Sequence, residues 1–138
     1  MEILDRHRSD LVIFLAFLII TTIGLYCRNL LNNNEKIRFI GDTIGNIGGV
    51  IVASFLFFWL AKESVFKKRV IIIFSVGLGF IIYEFLQVII PWQTFDINDI
   101  YGTLIGVLIA SIINILTIVS RNNNRTIKNW NNSKDLQI

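Results

Sequence analysis

Four apolar runs constrain this chain more than any other feature. Residues 11–27, 39–61, 70–90 and 99–119 are each close to the roughly 20 residues a helix needs to cross a bilayer. No water in the hydrocarbon layer can satisfy an open backbone, so segments of this kind cross as helices. The expected fold is all-α: an integral membrane bundle of four transmembrane helices, formed by residues 1–138 as one domain. Residues 121–138 are polar and asparagine-rich, with too little apolar surface to offset the entropy of ordering, and a mobile cytoplasmic tail is expected there.

Charge follows the same plan. The hydrophobic fraction is 54% and the net charge +3. Ten of the 13 Lys and Arg residues lie before the first run, between the second and third, or after the fourth. Basic residues mark the cytoplasmic side, which places both termini there and residues 92–98 outside. Charges gathered at the ends of apolar runs fit topology, not a nucleic-acid stripe, and no nucleic acid is expected as a partner. The first run lacks a small-x-small cleavage pattern, so it reads as a retained helix. One cysteine, Cys27, and one histidine, His7, exclude an internal disulfide and a Cys/His metal site within one chain. No metal or cofactor is expected.

An internal repeat divides the chain into two hairpins. GDTIGNIGGVIVAS (residues 41–54) aligns without gaps on NDIYGTLIGVLIAS (residues 98–111). Asp42 pairs with Asp99, Gly45 with Gly102, Asn46 with Thr103 and Gly49 with Gly106. The second and fourth helices run the same way, so the bundle is expected as two parallel-repeat helical hairpins. Gly45, Gly49 and Ala53 fall four apart, as do Gly102, Gly106 and Ala110. Each set makes a groove of small residues that lets helices approach closely in lipid. Packing of the second and fourth helices through these grooves is one expectation, and a homo-oligomer seam is the other.

Candidate functional residues are the polar ones inside the runs. Glu84 lies about seven residues before the end of its helix, roughly 10 Å inward. An ionisable group there is costly and normally faces the bundle interior. Gln87 is one turn further out on the same face. Asp99 and Thr103 share a face of the fourth helix, and Asp42 and Asn46 the matching face of the second. These six are expected to line a ligand pocket open to the outside. Asp99 has a simpler reading as the cap of the fourth helix, a task Asp96 or Asn98 would do equally well. No activated nucleophile, phosphate loop or paired histidine accompanies them, so no catalytic residue is assigned and an enzyme is not expected.

The stretch around Glu84 resembles the carboxy-terminal half of VanZ-like membrane proteins. That pattern runs Glu-x-x-Gln, a short loop with Pro and Arg, then Asp-x-x-x-Asn-x-x-Gly. Glu84, Gln87, Pro91, Thr94-Phe95-Asp96, Asp99 and Gly106 match it. The family's Arg falls at Gln93 and its Asn at Thr103, whereas Asp42, Asn46 and Gly49 carry the full second spacing. The resemblance implies a small bacterial envelope protein of the cytoplasmic (inner) membrane, in a family linked to susceptibility to glycopeptide antibiotics such as teicoplanin. A pocket for a lipid-linked or amphipathic ligand is the functional expectation. An oligomeric transporter or channel subunit using Glu84, and a structural assembly partner, are the alternatives.

Overall fold

The computed structural model describes the backbone of residues 2–28, 38–90, 92 and 94–135, and the side chains of residues 8–28, 43–90, 92 and 94–123. Four helices follow one another: α1 (Glu2–Tyr26), α2 (Arg38–Leu60), α3 (Phe66–Gln87) and α4 (Ile97–Asp135). There is no strand among the described residues. Each helix contains a segment long and apolar enough to cross a membrane: Arg8–Tyr26, Thr43–Leu60, Phe66–Gln87 and Ile97–Asn123.

Four boundaries differ clearly from the sequence expectation. Helix α1 begins at Glu2, nine residues before the first apolar run. Helix α3 begins at Phe66 instead of Val70, which takes Arg69 out of the connector and into the first turn. Helix α4 continues to Asp135, so residues 121–135 are helical, not a mobile tail. The physical reason is propagation. Residues 121–135 contain no Pro or Gly, and extending an existing helix avoids the cost of nucleation. At the other end α3 stops at Gln87 instead of residue 90, which puts Glu84 three residues, about 4.5 Å, from the helix end instead of the expected ~10 Å. Val88, Ile89 and Ile90 donate to carbonyls three residues back, at 3.0 to 3.3 Å. This tightened exit precedes Pro91, which itself lies outside the described residues along with Gln93.

Helix α2 is the centre of the bundle and packs against all three others. Its contacts are made close by small residues. Gly48 faces the Thr21 side chain of α1, and Gly24 of α1 faces Ile44. Gly49 faces Phe80 of α3, whose ring carbons lie 2.9 Å from where a Cβ would stand. On α4, a Cβ at Gly106 would meet the Ile47 carbonyl oxygen at 2.9 Å, and one at Gly102 the Thr43 carbonyl oxygen at 3.0 Å. The α2–α4 seam is therefore a backbone-to-backbone approach. The α4 stripe of small residues meets α2, and Ala110 is buried in the core. The repeated stripe on α2 does something else: Gly45 faces Leu25 of α1 and Gly49 faces α3, while Ala53 is only half-buried. Further along, Ile51, Phe55, Phe58, Ile73 and Ala110 form the buried core, with Ile13, Phe14 and Phe17 of α1 packed against it.

The α2–α3 turn is a helix stop with a mismatched residue. Glu63 donates its backbone N–H to the Phe58 carbonyl and Lys62 to that of Trp59, the pair of bonds of a Schellman motif. Lys62 occupies the left-handed position, with φ of 50°, where glycine avoids a steric cost of about 1–2 kcal/mol. The Glu63 carboxylate accepts the Ser64 and Val65 N–H groups at 2.9 and 2.8 Å. The Val65 bond above all holds its pKa below the ordinary glutamate value. Replacing Lys62→Gly should stabilise the fold by about 1 kcal/mol, read as a raised unfolding midpoint in detergent. An unchanged or lowered midpoint would show that this turn is not a strained stop.

Candidate functional site

The last two turns of α3 place Glu84 against the rest of the bundle. Gly77 packs on Val107 of α4 and Phe80 on Gly49 of α2. Glu84 continues that face one turn beyond Phe80, so it points at the α2–α4 seam. It is 2% exposed. The Gln87 amide donates to Glu84 Oε1 at 3.0 Å, as the i, i+3 spacing suggests. Glu84 Oε2 is buried and has no hydrogen-bond partner among the described residues.

The start of α4 brings further acids to this end. Asp96 Oδ1 accepts the Asn98 N–H at 2.9 Å and the Asp96 carbonyl accepts the Asp99 N–H at 3.1 Å. Asp96 is thus the cap, and Asp99 sits in the first helical turn instead. Both carboxylates lie close enough to act electrostatically on Glu84. Thr103 is fully buried, and its hydroxyl donates to the Asp99 carbonyl at 2.9 Å on its own helix. Asn46 is half-buried and lies against Gly102 next to buried Thr43, which places it beside the same seam. Glu84, Gln87 and Asp99 therefore share one end of the bundle, with Thr103 and Asn46 in the adjoining seam. The Asp42 side chain lies outside the described residues.

At the opposite end is a charged cluster the sequence reading did not single out. Asp10 of α1 and Arg69 of α3 are both 0% exposed. Arg69 Nη2 donates to Asp10 Oδ1 at 2.6 Å and Nη1 to Oδ2 at 3.3 Å, a two-pronged pair. Arg121 of α4 donates to Asp10 Oδ1 and to the Ser9 hydroxyl, each at 3.1 Å. The Arg69 guanidinium also sits 4.0 Å above the Phe58 ring, a cation–π contact. Two cations share one carboxylate, which is itself fully buried. Between the two ends, Ser54 and Asn114 are fully buried. The Ser54 hydroxyl and both amide atoms of Asn114 lack hydrogen-bond partners among the described residues.

The cluster was hidden because Arg69 and Arg121 counted only as topology charges and Asp10 as part of a polar lead. One signal was available. Arg69, Ile73, Gly77, Phe80 and Glu84 recur at spacings of four, four, three and four, which is one inward helix face. The same rule on α4 joins Thr103, Gly106, Ala110, Asn114 and Arg121.

With this geometry in hand, comparison with known proteins adds no relative: no family model, curated protein or solved structure matches the chain.

Removing one member of a buried ion pair strands the other, at a cost of about 3–5 kcal/mol. Asp10→Ala should therefore destabilise the bundle by that order in detergent unfolding. Arg121→Gln should cost less, because Arg121 is 18% exposed at its side chain. The double replacement Asp10→Leu with Arg69→Met should recover most of the loss. Strict additivity of the two single losses in that double-mutant cycle would show that the pair is not coupled.

Proposed function

We propose that this chain is a VanZ-like envelope membrane protein that binds a lipid-linked or amphipathic ligand at the Glu84 end. The observation that carries the reading is Glu84 itself: a 2% exposed carboxyl in a membrane-crossing segment with one oxygen left without a partner. A carboxyl in low dielectric is costly to keep unless something engages it. Gln87 fixes one oxygen and leaves the other for a donor. Asp96 and Asp99 bias the site toward an amine-bearing or hydroxyl-rich group, since their charge opposes an anion. The bilayer would hold the ligand's apolar part, and the exposed aromatics Trp92 and Tyr101 suit the boundary between membrane and water.

In this reading both termini are cytoplasmic, the Glu84 end faces outward from a bacterial cytoplasmic membrane, and ligand binding alters susceptibility to glycopeptide-type antibiotics. Expression in a susceptible bacterium tests it. Glu84→Ala should abolish protection while membrane levels of the protein stay constant, and Glu84→Gln should weaken it. Undiminished protection by the Glu84→Ala protein would overturn the pocket.

One observation favours a second reading, an oligomeric transporter or channel subunit. Ser54 and Asn114 add a buried polar level between Glu84 and the Asp10 cluster. Intramembrane polar residues of this kind mark ion and proton paths in transporters. Reconstituted vesicles would then show proton or cation flux that Glu84→Gln removes. Absence of any Glu84-dependent flux rules this reading out.

A further inference from the structure

The outer faces of α3 and α4 form an open groove that shares no lining residue with the Glu84 end. Its volume is about 440 Å³, and it is lined by Phe66, Val70 and Phe74 on one side and by Leu104, Leu108, Ser111 and Ile115 on the other. The lining asks for no hydrogen bond. Its polar residue, Ser111, already donates to the Val107 carbonyl of its own helix at 2.8 Å. From Leu104 to Ile115 the helix rises about 16 Å, close to half of the roughly 30 Å hydrocarbon thickness. The groove therefore has the length of one leaflet.

Its mouth is charged. Phe66 opens α3 at the arginine end, and Lys67, Val70 and Phe74 fall at i, i+3 and i+7 on one helix face. Lys67 and Lys68 are exposed beside that mouth. Lys68 is 3.7 Å from Glu63, and Lys67 is an exposed cation on the helix face that continues into the groove. A long apolar slot with a cation where it meets the headgroup layer matches an anionic phospholipid in both its parts.

We propose that the α3–α4 groove binds one acyl chain of an anionic phospholipid from the leaflet at the arginine end, with Lys67 contacting the headgroup phosphate. The methylenes fill the slot between Phe74 and Leu108, where a dry lining suits a chain that has no polar atoms. Lys67 supplies the preference for anionic over zwitterionic lipid, and one interfacial lysine accounts for a preference of about five-fold. The charged mouth of this site is at the opposite end of α3 from Glu84, and its ligand carries the opposite charge to the one the Glu84 end favours.

The experiment uses the full chain in nanodiscs of equal parts phosphatidylglycerol and phosphatidylcholine. Native mass spectrometry of the released protein counts the lipids that remain bound. The wild type should retain one phosphatidylglycerol in preference to phosphatidylcholine. Lys67→Gln should cut that preference about five-fold without lowering total retention to zero. Ser111→Phe, which fills the groove, should remove the retained lipid of both classes. Leu108→Trp serves the same purpose if the first variant fails to fold, with helical circular dichroism and a single gel-filtration peak as the check. Equal retention of the two lipids by the wild type overturns the proposal. So does retention unchanged by groove filling, or a dimer that persists in every lipid mixture and is lost with Ser111→Phe, which would assign the groove to a second copy of the chain.

Discussion

A single carboxylate, that of Asp10, ties three helices together. Helix α1 makes close backbone contact with α2 alone among the described elements. Its hydrogen-bonded link to α3 and α4 runs through Arg69 and Arg121, both bonded to Asp10 Oδ1. In a bilayer, apolar side chains gain little by leaving lipid for protein, so bulk hydrophobicity does not hold α1 in place. Specific packing and charge have to do it. The two mechanisms act at opposite ends: small-residue contacts at Gly24 and Gly48 near the Glu84 end, and the ion cluster at the other. Phe14 and Phe17 fill the space between them, so the bulky part of α1 sits where charge, not close backbone approach, fixes the helix.

The internal repeat is used asymmetrically, and the cause lies in the central position of α2. A helix surrounded on three sides needs small residues facing more than one neighbour. Gly45 and Gly48 serve α1, and Gly49 serves α3. The face that meets α4 is built from Thr43, Ile47 and Val50 instead, and it receives Gly102 and Gly106. Helix α4 lies to one side of the bundle and uses its stripe for a single seam. Matching residues in two related helices thus answer to different partners. Sequence symmetry in a bundle predicts the capacity for close packing, and the position of each helix decides what is packed.

Hydropathy made the four helices legible, since run length alone selects membrane-crossing segments. It made their ends poorly legible. Lys67, Lys68 and Arg69 lower hydropathy yet all belong to α3, and the asparagine-rich stretch after Arg121 stays helical because nothing in it breaks a helix. Glu84 could be found because an acid inside an apolar run has few innocent explanations, and its bond to Gln87 follows from spacing. The Asp10 cluster could not be found by counting charges, because a count has no direction. Arg69 is fully buried while Lys68, one residue away, is exposed. Only the helical phase separates them. Asn114 sits in a run whose hydropathy it barely disturbs, and it is as buried as Arg69.

The two buried carboxyls differ in how fully they are hydrogen-bonded, and that difference bears on the proposed site. At the arginine end the Asp10 oxygens are filled by guanidinium donors, while the buried Arg69 Nε has no partner among the described residues. Midway, the Asn114 amide and the Ser54 hydroxyl have no partner among the described residues, and at the far end Glu84 has one partner for two oxygens. A buried polar group without a hydrogen bond costs roughly 2–7 kcal/mol depending on the reference state, more than a single close helix contact returns. A chain selected for stability alone would place Leu at such positions. Sequences break a local rule of this kind mainly where a site requires it. The Asp10 carboxylate is accounted for by its ion pairs, whereas one oxygen of the Glu84 carboxyl is not. That contrast is the physical ground for proposing the ligand site at the Glu84 end and not at the Asp10 end, although both ends hold a buried carboxyl.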